Sequence, residues 1–176
     1  TATAGTTGPT AYTTLKGAFD AVNTGTHQGT VTVTITGNTT ETATASLNAS
    51  GSGSASYASL TVKPGTGATP AVSGSINRRP MVKLDPSSNV TINGSNNGTT
   101  SRDLTITNTS TVSSNVLQIG SVGTTPIDNV NIRNCILVNG TNTSTAVIMG
   151  DAAVVGNPGY FSDITIQNND IRKAYI

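Results

Sequence analysis

Residues that usually carry chemistry are scarce in this chain. Of its 176 residues 10% are charged and 3% aromatic; tryptophan is absent, and there is one histidine, His27, and one cysteine, Cys135. A single cysteine excludes an internal disulfide and a cysteine-rich metal site. A net charge of +1 supplies no basic field for a polyanion, so nucleic acid is not an expected partner. No apolar run approaches the roughly 18 residues of a helical membrane span. No metal-ligand motif is present, so no metal and no cofactor is expected. The chain begins at Thr1 with neither an initiator methionine nor a signal peptide. That reads as a trimmed or engineered start, and the expected setting is extracellular or at the cell surface.

What is abundant is Thr, Ser, Asn and Gly, which together fill half of the chain. Such a composition can mean disorder, but disorder comes with few apolar residues and high net charge. Here 34% of residues are hydrophobic and the charge is near zero. The apolar residues are also regularly placed. In Tyr12–Asn23, Leu15, Ala18, Phe19 and Val22 recur at i, i+3, i+4 and i+7, the period of one helical face. Thr13 or Thr14 suits the N-cap. From residue 30 the period becomes two: Thr30 to Thr36 alternates Thr with Val or Ile without a break. Short alternations then recur between Gly, Asn, Ser and Pro, each a strand of a few residues bounded by turn chemistry.

The strands form a repeat. A first type, apolar-polar-apolar, occurs at Leu60–Val62, Val90–Ile92, Val130–Ile132 and Ile164–Ile166. A second includes Leu104–Ile106, Ile136–Val138 and the stretch from Ile171. A third includes Val82–Leu84, Leu117–Ile119 and Val147–Met149. The types follow one another in a fixed order, giving coils of three strands, and recurrence at this spacing is the mark of a solenoid. Stacked in parallel about 4.8 Å apart, the coils would bring Val90, Val130 and Ile164 into one inward column, and Ile92, Ile132 and Ile166 into the next. The expected fold is therefore all-β: a right-handed parallel β-helix of about five coils. Residues 1–29 form an N-terminal segment whose helix, with Leu15 and Phe19, caps the core; residues 30–176 form the coils.

The phrases Asn89-Val-Thr-Ile-Asn-Gly94, Asp128-Asn-Val-Asn-Ile-Arg-Asn134 and Asp163-Ile-Thr-Ile-Gln-Asn168 resemble coil repeats of the right-handed parallel β-helix, or pectin-lyase-like, superfamily. The chain is most similar to repeat regions of large bacterial surface or secreted proteins of Bacteroidetes type. The resemblance implies an extracellular setting and a polysaccharide or cell-surface glycan as partner. It also implies an alternative, the N-terminal part of a carbohydrate-active lyase or glycosidase whose catalytic coils lie beyond residue 176; only that alternative calls for calcium. The last phrase starts another strand and stops, so the helix is expected to continue, or to self-associate through unpaired strand edges.

Site candidates are few. Asp85, after a third-type strand, could face a groove with Lys83 and Arg102 and would be the catalytic set of the enzyme alternative. Asp103, Asp128 and Asp163 precede strands, where aspartate caps turns. Arg78-Arg79 is the one adjacent pair of arginines, expected at a solvated corner or against an acidic group. Tyr160 and Phe161, in the longest loop before a strand, are the candidate sugar contacts. His27 is expected on a loop surface, and Cys135 as a small buried hydrophobe. Asn108, Asn134 and Asn168 end strands and could bond from coil to coil as a ladder. Thr30, Thr32, Thr34 and Thr36 form one polar row, and a stacked threonine array would suit an ice- or surface-binding solenoid. The favoured reading is a non-catalytic stalk or adhesin-like segment.

Overall fold

A computed structural model describes residues 2–4, 7–154 and 156–175. The chain is a parallel β-solenoid with one short helix. Two short strands, β1 (Ala2–Ala4) and β2 (Thr7–Thr10), precede helix α1 (Leu15–Asn23). The first turn holds β3 (Gly29–Ile35), β4 (Thr39–Glu41) and β5 (Ala45–Asn48). The second holds β6 (Tyr57–Pro64), β7 (Ala71–Gly74) and β8 (Pro80–Asp85), and the third β9 (Val90–Asn93), β10 (Leu104–Asn108) and β11 (Asn115–Ser121). The fourth holds β12 (Ile127–Arg133), β13 (Cys135–Val138) and β14 (Val147–Asp151); β15 (Phe161–Gln167) and β16 (Asp170–Arg172) begin another. The solenoid thus has about four turns rather than the expected five.

Three sheets run along it. Strands β15-β12-β9-β6-β3 form one face, continued by β1 and β2; β16-β13-β10-β7-β4 form the second; β14-β11-β8-β5 form the third. Every turn-to-turn pairing is parallel. Strands this short gain independent stability only by such stacking. On the first face, Leu60, Val90, Val130 and Ile164 align, as do Val62, Ile92, Ile132 and Ile166. Val82, Leu117 and Val147 align on the third, beside Leu84, Ile119 and Met149. Each fully buried aliphatic side chain contributes about 1.5–3 kcal/mol, and the columns merge into one continuous core.

The second face departs from the expected register. Leu104 lies beside Cys135 and Ile106 beside Leu137. Cys135 and Leu137 are fully buried, whereas Ile136 and Val138 are only partly so. In the uninterrupted apolar run Cys135-Ile-Leu-Val138, alternation cannot show which residues face inward. Cys135 therefore opens this strand instead of closing the preceding one. Burial pushes its thiol up to about 12, so it stays protonated near neutral pH and is a poor nucleophile.

The helix starts at Leu15, later than Tyr12, because Thr14 is its N-cap: the Gly17 N–H donates to Thr14 Oγ1 at 3.0 Å. Leu15, Ala18, Phe19 and Val22 are buried against the first turn. The long-range contacts at its two ends are absent from the sequence reading. Glu41, almost fully buried on β4, accepts the N–H groups of Leu15 at 2.8 Å and Lys16 at 3.0 Å. These are two of the four donors that a helix start leaves unpaired, and a carboxylate there also meets the positive end of the helix dipole. At the other end, the Asn23 carboxamide donates to Ser46 O and accepts from Asn48 N, both at 2.9 Å, tying α1 to the edge of β5. Strand β1 pairs antiparallel with β3, so the cap is a helix plus two strands. His27 is not on the surface. It is fully buried, and its Nε2 meets the Tyr12 hydroxyl at 2.8 Å.

Candidate functional site

Two polar assemblies lie on the solenoid: a corner ladder between the first and second faces, and a cleft on the outside of the third. The ladder links three turns. The Asn134 Nδ2 donates to Asn93 Oδ1 at 2.8 Å, and the Asn168 Nδ2 donates to Asn134 Oδ1 at 2.7 Å. Asn134 and Asn168 hold φ of 59° and 53°, a left-handed turn that asparagine tolerates. Gly94 stands where a side chain would collide with the Asn134 carbonyl, which is why the first rung ends in Asn-Gly. Asn108 is not a rung. It sits at the next corner, fully buried, and donates to the carbonyls of Ile76, Arg79 and Asn115, each at 3.0 Å.

Arg102 belongs to the ladder and not to the groove with Asp85. Its Nε donates to Asn168 O at 2.7 Å and its Nη2 to Asn168 Oδ1 at 2.5 Å. Asp103 closes the same loop, accepting from Asn96 N and from Ser101 Oγ. A second, exposed pair lies one bend earlier, where the Asn129 Nδ2 donates to Asn89 Oδ1 at 2.9 Å. Asn89, Asn129 and Asp163 all adopt positive φ there. The strand-initial Asp163 thus occupies a repeated backbone bend.

Lys83 and Asp85 do come together, 2.7 Å apart on β8. They line a cleft of about 670 Å³ on the third face, together with Arg78, Arg79, Ala152 and Ala153. Asp151 borders this loop, but its Oδ1 accepts the N–H groups of Val154 and Ala153, each at 2.8 Å. Those bonds hold its carboxyl below the usual carboxylate range, so it serves its own turn.

Tyr160 is exposed, while the Phe161 ring packs on the core and its strand position pairs with buried Ile127. On the outside of the first face one row reads Thr32, Thr61, Thr91, Asn131, Thr165. In the neighbouring row Thr34 pairs with Lys63, and Arg133 pairs with Asn93 and Gln167. Threonines therefore line up in one row and do not form a two-dimensional array. Among the described residues no group of three or more His, Cys, Asp or Glu could hold a metal ion, and no helix is long and apolar enough to cross a membrane.

Comparison with family models, with curated proteins and with solved structures finds no match. The strand pairing shows a parallel β-solenoid, and no match supports the narrower likeness to pectin-lyase-like proteins.

Proposed function

We propose that this solenoid is a non-catalytic structural and recognition segment of a bacterial extracellular protein, of stalk or adhesin type, that meets glycans along its elongated polar faces. The fate of the polar side chains is the observation that carries this reading. Asn93, Asn134 and Asn168 join successive turns, Arg102 closes that ladder, and Glu41 and Asn23 fasten the cap. The candidate catalytic carboxylate, Asp85, is paired with Lys83. Groups used in this way stiffen a rod and leave its outer rows, rich in Thr and Asn, to meet a partner.

The test is a polysaccharide panel read two ways, with and without calcium. Retardation in glycan-containing native gels, without release of reducing ends or unsaturated products, is the expected result. Product release would overturn it in favour of a carbohydrate-active enzyme and would direct mutagenesis to Asp85 and Lys83.

A further inference from the structure

We infer that the cleft on the third face is a binding site for a tetrahedral oxyanion, a sulfate or phosphate ester carried on a glycan. The inference rests on the recognition reading and names the ligand class for one of its faces. Arg78 and Arg79 are both exposed and make no ion pair among the described residues. In a chain with only nine Lys and Arg, three of them, Arg78, Arg79 and Lys83, line this one cleft.

The corner that carries the arginines is built rigidly. Arg78 holds φ of 57°, a conformation that a long L side chain seldom adopts and that surrounding structure must impose. Its N–H donates to Val112 O at 2.9 Å. The buried Asn108 carboxamide bonds Ile76 N–H, Ile76 O and Arg79 O, each at 3.0 Å, and Ser110 Oγ holds Asn77 Oδ1 at 2.6 Å. The turn fixes the two backbone positions from which Arg78 and Arg79 reach the cleft.

Donor arithmetic sets the ligand class. One guanidinium fork takes both oxygens of a planar carboxylate in plane and leaves a second fork only their outer lone pairs. A tetrahedral ester presents three free oxygens in different planes and suits two forks, without drawing on the Lys83 ammonium that holds Asp85. Asn115 also lines the cleft and supplies a neutral amide for sugar hydroxyls. The volume of about 670 Å³ accommodates a sugar ring. Asp85 is held by Lys83, and Asp151 is turned into its own loop, so neither acid is set against the arginines.

The experiment uses the whole chain, with sulfated, phosphorylated, uronate and neutral oligosaccharides of equal length, and inorganic phosphate and sulfate as free-ion controls. Titration is followed by NMR on the arginine Nε–H and backbone amide signals. Sulfated or phosphorylated sugars should shift Arg78 and Arg79, and bind at least tenfold more tightly than the uronate oligomer or the free ions. Each arginine removed should weaken binding about tenfold, the effect of one charge-assisted hydrogen-bonded contact. The variants are Arg78→Asn, which keeps a residue tolerant of positive φ, and Arg79→Gln. Both should melt no lower than the parent, separating lost binding from lost folding. Equal binding by the double variant, preference for the uronate, or shifts confined to the Lys63 and Arg133 face would each overturn the site. So would silence towards every anion. Retardation by neutral glycans alone would sink the site and leave the recognition reading intact, whereas product release would sink that reading whatever the arginines do.

Discussion

The first turn and the last of the described turns differ in what covers the core. At the first turn, α1 covers the core, Glu41 and Asn23 tie down its ends, and β1 pairs with the edge of β3. At the other end, Met149, Ile166 and Ile171 are 41%, 40% and 46% exposed. Yet Ile166 stands in the same column as Ile132, which is fully buried, and Ile92, at 1%. Residue type and strand position are shared along that column; only the presence of a turn above differs. In a solenoid, burial is a property of the neighbouring turn as much as of the side chain, and stability is a sum over nearest-neighbour interfaces.

The sharpest way to break this comparison is to place the same charge at two rungs of one column. Ile132→Asp puts an unpaired carboxylate between two turns and should cost at least about 4 kcal/mol, enough to lose cooperative unfolding. Far-UV circular dichroism during thermal melting reads it, and a folded variant would show the inward register to be wrong. Glu41→Ala leaves two helix N–H groups unpaired inside the cap and should cost about 2–3 kcal/mol, measured by urea denaturation. A loss below 0.5 kcal/mol would mean that α1 is held by its apolar face alone. Ile166→Asp, at the exposed rung, should shift stability by less than about 1 kcal/mol; a loss as large as that of Ile132→Asp would erase the distinction between the ends.

The smallest effect is electrostatic. On β16, the hydrogen bond from Arg172, more than its charge, lowers the Asp170 carboxyl below its ordinary range. A depressed folded-state value means that the pair's contribution is complete above the ordinary aspartate range and disappears as pH falls through the depressed value. Arg172 is exposed and Asp170 only partly covered, so the gain is small. NMR titration of Asp170 should find a midpoint below the ordinary range, returning towards it in Arg172→Ala. An unchanged midpoint would remove the pair from the account.

Columns of the first and third faces were legible in the sequence because Val-Thr-Ile, Leu-Thr-Val and Leu-Gln-Ile alternate cleanly. The strands β4, β5 and β7 were missed, since Thr39-Thr-Glu41, Ala45-Ser-Leu-Asn48 and Ala71-Val-Ser-Gly74 carry little apolar bulk and borrow their order from the turns beside them. The second face slipped by one residue where four apolar residues in a row hide the alternation. The asparagine ladder is half legible: the strand-ending pattern points to Asn134 and Asn168 but not to Asn93, because membership depends on which corners stack and the turns differ in length. Asn108 ends a strand in the same way and stands at another corner. For Arg102, Glu41 and His27 the deciding partners, Asn168, the Leu15 amide and Tyr12, lie 66, 26 and 15 positions away. Local pattern carries no record of such pairings.

The Asn93 rung also bears on how the protein ages. Asn-Gly is the dipeptide at which a mobile glycine amide attacks the preceding carboxamide, closing a succinimide and releasing ammonia. Here the Gly94 N–H is engaged with Arg133 O at 2.9 Å, and the Asn93 side-chain oxygen accepts from both Asn134 and Ser95. The attacking nitrogen and the electrophilic carbon are each held by partners that would have to let go first. The bonds that stack the turns thus also shield an otherwise labile peptide from chemical decay, a useful property in a molecule read as working outside the cell, where no repair follows it.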